Sequence, residues 1–155
     1  MTPEEFHALL RPITDFIGAQ QLDKVLEAAL NNEFASGGKA FKSVETACRA
    51  AIDAGWMCSR EAGGIKYGRV IKPDEVLSGF SVDVVEMDSI RGPHHAHPNG
   101  EIDMIMPQSG DAEFDGQRAG WLVYEPGSAH HPTVTGGRAL ILYLLPDGAI
   151  EFTNS

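Results

Sequence analysis

Three potential metal ligands lie close together in the stretch Arg91–Glu101, which reads Arg-Gly-Pro-His-His-Ala-His-Pro-Asn-Gly-Glu. His95 and His97 are two residues apart, so on an extended strand their side chains leave from the same face. A Pro-Asn-Gly bend then brings Glu101 back towards the two imidazole rings. Two imidazoles and one carboxylate suit a divalent first-row transition metal that keeps an open coordination position. The spacing therefore predicts a metal site.

A second histidine-containing segment, Pro126–Pro132, offers a fourth ligand. Either His130 or His131 could complete the set. Histidines used only for packing would be spread along the chain, whereas these are clustered in two short segments. The alternative to a metal site is a histidine-rich surface loop. Because the spacing, the carboxylate and the second segment agree, we favour the metal site.

The first third of the chain carries the apolar spacing of three amphipathic helices. Thr2 and Glu5 have the positions of a capping box at a helix start. Pro12 is expected to kink or divide the first helix. We predict a helical segment over residues 1–58 that caps one end of the following domain or forms part of a dimer interface.

From Ile65 onward, apolar residues alternate with a period of two between clusters of Gly, Pro and Asp. This pattern predicts seven or eight short strands within a second unit, residues 59–155. Turns are predicted at Asp115-Gly116, Gly136-Gly137 and Asp147-Gly148. A closed barrel or a double-sheet jelly roll is favoured, because both hide strand edges and leave an interior for a small ligand.

The composition narrows the class of partner. The formal net charge is −10 at pH 7, which argues against nucleic acid or an anionic membrane surface as a partner, since both require a basic face.

Cys48 and Cys58 lack a CxxC spacing, so we expect them to be reduced and structural. The sequence shows no signal-peptide pattern and no apolar run long enough to span a bilayer, which predicts a cytoplasmic protein.

The two histidine segments resemble the two motifs of the cupins. His95–Glu101 fits the HxHxxxE core of the first motif, and Gly120, Pro126 and Gly127 begin the second. One residue is missing between Pro126 and Gly127, so counting from the glycine selects His130 and counting from the proline selects His131. We favour His130, because the glycine sets the turn that directs the ligand. The resemblance implies a mainly β cupin barrel, a double-stranded β-helix or jelly roll, with an N-terminal α-helical extension.

A closer resemblance is to the 4-hydroxylaminobenzoate lyase family. It is carried by the helical N-terminal third and by four segments, His97–Ile102, Pro126–His130, Pro132–Tyr143 and Leu145–Phe152. Those enzymes, found in bacterial nitrobenzoate degradation, convert 4-hydroxylaminobenzoate to protocatechuate and release ammonia. The resemblance thus implies a carbon–nitrogen lyase that acts on a small aromatic carboxylate.

The resemblance also implies a ligand set and a cofactor. The expected ligands of a divalent Fe, Mn, Zn, Ni or Co ion are His95, His97, Glu101 and His130. Beside the metal, His94 and His131 are candidates for proton transfer, although neighbours of ligands on a strand point to the opposite face. Glu101 is the third candidate for a catalytic role.

Candidate substrate contacts follow from the chemistry of an aromatic carboxylate. Arginine matches a carboxylate better than lysine does, and Arg69, Arg91, Arg118 and Arg138 all lie on or near β segments. The sequence does not choose among these four, and we take Arg91 and Arg118 as the candidates. Rings that could stack on the substrate are those of Trp121, Tyr124 and Tyr143.

Two other functions fit the same residues. A cupin with such ligands could be a metal-dependent dioxygenase acting on an aromatic substrate, or a non-catalytic module that binds a small ligand. A homodimer is the expected assembly.

Overall fold

The computed structural model describes residues 1–153 and is mainly β with three N-terminal helices, which confirms the predicted fold class. The helices are α1 (Pro3–Ile17), α2 (Lys24–Glu33) and α3 (Lys39–Asp53). The strands are β1 (Arg60–Ala62), β2 (Ile65–Asp74), β3 (Phe80–Arg91), β4 (His95–His97), β5 (Glu101–Pro107), β6 (Glu113–Phe114), β7 (Gly120–Tyr124), β8 (Ser128–His130), β9 (Thr133–Pro146) and β10 (Glu151–Phe152). The change from helix to strand falls between residues 53 and 60.

Helix α1 begins with the predicted capping box. The Glu5 amide donates to Thr2 Oγ1 at 3.1 Å, and the Thr2 amide donates to Glu5 Oε1 at 3.0 Å. Pro12 does not divide this helix, which runs through it. Pro12 and Ala8, whose carbonyl loses its helical partner, are both exposed, so water can satisfy that carbonyl.

The strands form two antiparallel sheets. The larger sheet has the order β1-β2-β3-β9-β5-β7, with β6 also paired to β9, and the smaller sheet has the order β10-β4-β8. Within residues 1–153 the hydrogen bonding does not close into a ring. Of the two predicted arrangements, the double-sheet form is therefore the one observed.

The two faces of the larger sheet have different partners, as β5 shows. Ile102 and Met104 belong to the hydrophobic core beneath the helices, whereas Ile105 packs in a second core on the other face. By the alternation of a strand, Glu101 and Asp103 share the face of Ile105 and point towards the smaller sheet. Both carboxyl groups are fully buried.

Helix α2 covers the exposed edge of the larger sheet at β7. Asn31 Oδ1 accepts from the Trp121 amide at 2.9 Å, and Glu27 Oε1 accepts from the Val123 amide at 2.8 Å. Asn31 Nδ2 donates to the Trp121 carbonyl at 3.0 Å. These side chains provide the hydrogen bonds that a further strand would otherwise supply.

The turn predicted at Gly136-Gly137 is wrong, because β9 runs through both residues. Both have positive φ, at 77° and 152°. A Cβ atom would lie 2.7 Å from the Asp111 carbonyl oxygen at Gly136, and 2.2 Å from that of Ser109 at Gly137. The glycines are required because another segment crosses the strand closely here. Turns do occur at the other two predicted dipeptides.

Both cysteines are free and buried, and burial raises the pKa of Cys58 to about 12. None of the described helices combines the length and apolar character needed to cross a membrane.

A matched pair of substitutions in α2 tests the docking of the helices on the sheet. Leu30 is fully buried and Val25 is 78% exposed. We expect Leu30→Ala to lower the free energy of unfolding by about 2–5 kcal/mol, because it leaves a cavity in the core. Val25→Ala should change it by less than about 0.5 kcal/mol. Urea unfolding followed by circular dichroism measures both, and equal effects would contradict the described packing.

Candidate metal centre

Four side chains from three strands converge between the two sheets. They are His95 and His97 of β4, Glu101 at the start of β5, and His130 at the end of β8, and one ligand atom from each lies within 4.8 Å of the others. The His130 and His95 Nε2 atoms are 3.1 Å apart. Glu101 Oε2 lies 3.2 Å from His97 Nε2, and Oε1 lies 3.4 Å from His95 Nε2. The structure thus brings together the four residues that the sequence singled out.

Strand register explains this convergence. His95 pairs directly with His130 across β4 and β8, and residues opposite one another in an antiparallel pair share a face. His97 follows two residues later on that face. Gly100 then turns the chain with φ 87°, and a Cβ atom there would lie 2.8 Å from the Tyr124 carbonyl oxygen, so the turn requires glycine.

Hydrogen bonds fix which nitrogen of two rings faces the centre. Ser128 Oγ donates to the Glu125 carbonyl at 2.6 Å and so is free to accept from His97 Nδ1 at 2.9 Å. Asp115 Oδ2 accepts from His130 Nδ1 at 2.6 Å. With the proton on Nδ1, the Nε2 lone pair of each ring points to the centre, as a metal ligand requires.

The centre contains buried polar atoms that hydrogen bonding leaves unsatisfied. Within the described residues, His97 Nε2 and both carboxylate oxygens of Glu101 have no hydrogen-bond partner. His95, His97 and Glu101 are at most 2% exposed. Burying such atoms is costly unless a cation or a donor meets them. The donor set therefore fits a divalent transition metal, and this group could bind one.

A second carboxyl group, that of Asp103, lies on the same face of β5 as Glu101. Burial and the negative charge of Glu101 raise the pKa of Asp103 well above its usual range. Burial alone would also raise the pKa of Glu101, but the imidazoles of His95 and His97, whose Nε2 atoms lie 3.4 and 3.2 Å from its oxygens, outweigh burial and lower that pKa. The charge of the pair is thus concentrated on Glu101.

The structure separates His130 from its neighbour His131. His131 Nδ1 lies 3.2 Å from the Gly92 carbonyl, and its ring packs against that of His94 with centroids 4.8 Å apart. His94 in turn contacts the Thr153 hydroxyl. Neither ring belongs to the group of four converging side chains, and the proton-transfer roles considered for His94 and His131 stay predictions.

A cavity of about 660 Å³ opens beside the centre, and His95 and Tyr143 form part of its wall. Tyr143 is 5% exposed, and its ring centroid lies 6.3 Å from that of His95. Burial and the charge of Glu101 raise the pKa of Tyr143, so it presents a neutral phenol. This position agrees with a substrate contact for Tyr143.

The other predicted aromatic contacts lie elsewhere. The Trp121 indole packs edge-on against Phe41 and donates to the Phe34 carbonyl at 2.9 Å, so it faces the helices and does not reach the cavity. Tyr124 packs against His130 with centroids 4.4 Å apart, and its hydroxyl donates to Asp115. Tyr124 is therefore placed to hold His130 and Asp115 in position.

Of the four arginines considered, Arg69 lines the cavity, whereas Arg91, Arg118 and Arg138 do not. The Arg118 side chain is 78% exposed and lies 3.6 Å from Glu113, and Arg91 is exposed at the end of β3. Both side chains remain in water, so the structure gives them no contact with a ligand held beside His95. The sequence could not show this, because the face on which each lies depends on strand register.

Asp115 is a site residue that sequence reasoning missed. Besides His130 and Tyr124, it accepts from the Thr133 amide at 2.9 Å through Oδ1. Burial would raise the pKa of Asp115, but the hydrogen bonds from His130 and Tyr124 lower it. Its only sequence signal was the Asp115-Gly116 turn, which does not reveal a partner fifteen residues away.

Comparison with solved structures finds partial similarity to cupins. Oxalate oxidase in complex with the substrate analogue glycolate gives a TM-score of 0.44 at 19% identity, over 61% of this chain and 58% of that chain. An RmlC-like cupin protein from Ralstonia eutropha gives 0.44 at 15% identity, over 63% of this chain and 64% of that chain.

Comparison by sequence is more specific. Residues 8–152 match the family described as PnbB, 4-hydroxylaminobenzoate lyase. A protein of Nocardioides sp. (strain LMS-CY) named 4-hydroxylaminobenzoate lyase is 32% identical over 97% of this chain and 95% of its own length. A protein of Pseudomonas putida with the same name is 30% identical over 82% of each chain. The chain thus belongs to the 4-hydroxylaminobenzoate lyase family.

Proposed function

We propose that this protein is a metal-dependent lyase that converts 4-hydroxylaminobenzoate to protocatechuate and ammonia, in the degradation of nitroaromatic compounds. The match to the lyase family over residues 8–152 carries this proposal. The converging histidines and glutamate support it, because they provide a buried site where such chemistry could occur.

The proposed reaction balances with one molecule of water and no external oxidant. Cleavage of the N–O bond reduces the nitrogen while the aromatic ring is oxidised at the carbon that receives oxygen. The C–N bond is then replaced by a C–O bond, and nitrogen leaves as ammonia. Molecular oxygen is not consumed, which distinguishes the lyase from a dioxygenase.

His95, His97, Glu101 and His130 would hold the metal. When bound, a divalent ion supplies Lewis acidity towards an oxygen of the substrate or of water. The surrounding residues contribute shape and orientation: Asp115 and Ser128 fix two imidazole rings through Nδ1, and Tyr143 forms part of the wall beside His95. Because His95, His97 and Glu101 are at most 2% exposed, polar contacts among them are stronger than they would be in water. The metal's identity, the homodimer and the cytoplasmic location stay predictions.

Turnover of 4-hydroxylaminobenzoate tests the proposed function. We expect metal-loaded protein to form protocatechuate and ammonia in equal amounts, with the same rate in the absence of oxygen. Glu101→Gln should reduce the rate to background, whereas His7→Ala, on α1 and outside the group of four side chains, should keep it. Chromatography of the products with an ammonia assay measures both. A rate that requires oxygen would favour the dioxygenase, and binding without product would favour the non-catalytic module.

Metal content tests the ligand group independently of turnover. We expect one divalent ion per chain after dialysis, and a metal-dependent increase in melting temperature, because a ligand that binds only the folded state stabilises it. His97→Ala should abolish both effects, and His7→Ala should preserve them. Elemental analysis and thermal scans provide the measurement. Full metal content in His97→Ala would rule out this assignment.

The hydrogen bond that Asp115 accepts from His130 Nδ1 gives a third expectation. Asp115→Ala should weaken metal binding about 10- to 100-fold, because the imidazole loses the partner that fixes its orientation. Asp115→Asn should lose less metal affinity, since its amide oxygen can still accept the hydrogen bond from His130 Nδ1. Titration calorimetry of metal-stripped protein measures the affinities, with exposed Asp111→Ala as the control. Equal affinities for all variants would contradict an orienting role.

A further inference from the structure

The cavity beside the centre has an unusual charge for this protein. Within the described residues, its charged lining consists of Arg60, Arg69 and Asp83, which sum to one net positive charge, whereas the chain carries a formal charge of −10. Much of the remaining wall is apolar, with Ile65 and Met87 among its residues. A cavity of this kind favours a ligand that has an apolar body and one negative charge.

Arg69 is held in a fixed orientation. Its Nε lies 3.2 Å from Asp83 Oδ1, and its Nη2 lies 3.2 Å from Asp83 Oδ2 and 3.1 Å from the Gly148 carbonyl oxygen. The side chain is 35% exposed. Asp83 neutralises the charge of Arg69 while the contacts fix its planar group, so Arg69 supplies oriented donors more than net charge.

Arg60 supplies the uncompensated charge. It lies on β1, directly opposite Tyr67 of β2, and it also lines the cavity. Within residues 1–153 no carboxylate forms an ion pair with it. Arg60 is exposed, so water and salt weaken its attraction for an anion, but an incoming carboxylate has no fixed partner to displace.

Strand register relates these arginines to the metal centre. Arg69 pairs with Asp83, and Asp83 pairs with Tyr143. At a strand spacing of about 4.8 Å, the Arg69 backbone is roughly 10 Å from that of Tyr143. Tyr143 lies beside His95. His95, Arg60 and Arg69 therefore line one cavity, so an aromatic ring bound there can direct one substituent to the metal ligand and the opposite one to the arginines.

We propose that Arg60 and Arg69 bind the carboxylate of a para-substituted aromatic acid whose other substituent lies at the metal centre. This inference rests on the proposed function and adds the residues that select the substrate. Arg60 attracts the carboxylate, and Arg69 orients it through donors that Asp83 and the Gly148 carbonyl hold in place.

Binding of an unreactive analogue to the metal-loaded protein tests this proposal without turnover. The probe is 4-aminobenzoate, and aniline is the matched compound without a carboxylate. We expect Arg60→Gln and Arg69→Gln each to weaken 4-aminobenzoate binding on the order of 10- to 100-fold, as expected for loss of a charge-assisted hydrogen bond. Aniline binding should stay the same. Arg60→Lys should restore part of the affinity, and Arg118→Gln, outside the cavity, should have no effect.

The outcomes separate the subsite from the reaction. Arginine-dependent binding of 4-aminobenzoate without any lyase activity would support the subsite and contradict the proposed function. If the protein turns over its substrate but Arg60→Gln weakens the binding of 4-aminobenzoate and of aniline equally, the reaction is supported and the carboxylate subsite is overturned. Failure of the wild-type protein to bind 4-aminobenzoate would also overturn it. Melting curves of each variant check folding.

Discussion

Burial of the Glu101 carboxylate is the constraint on which the centre depends. A carboxylate removed from water costs several kcal/mol unless positive charge or donors compensate it. Glu101 has no hydrogen-bond partner for either oxygen within the described residues, while three imidazoles surround it. The proton of two of those imidazoles is held on the outward nitrogen by Ser128 and Asp115. The arrangement is therefore one that a cation stabilises, and the remaining polar contacts keep the ligands ready for it.

The same strands carry the hydrophobic core and the centre. In β5, Ile102 and Met104 pack beneath the helices, while Glu101 and Asp103 face the smaller sheet. A shift of one residue in register would move the carboxylates into the helix-facing core and the apolar side chains into the centre. The packing of the helices thus protects the register that positions the ligands. This explains how a part of the chain without a chemical motif contributes to the site.

Sequence reasoning singled out the four clustered side chains because their signal is local. The HxHxxxE spacing and the Gly127–His130 segment each lie within a few residues, and strand geometry then determines the face. The helices followed from apolar periodicity and from the capping box at Thr2. Features that depend on contacts between distant segments were missed. Gly136 and Gly137 were assigned to a turn because the segment that crosses them cannot be foreseen, and the roles of Asp115, Trp121 and the arginines depended on pairings up to ninety residues apart.

The covering of β7 by α2 also limits how subunits could associate. Asn31 and Glu27 occupy the main-chain groups that a strand from another molecule would need. At the opposite border of the larger sheet, β1 is only three residues long and carries the charged side chains of Arg60 and Glu61, which oppose strand addition. A continuous sheet formed by joining the larger sheets of two copies is thus disfavoured at both borders, which leaves faces, helices or the edges of the smaller sheet for self-association.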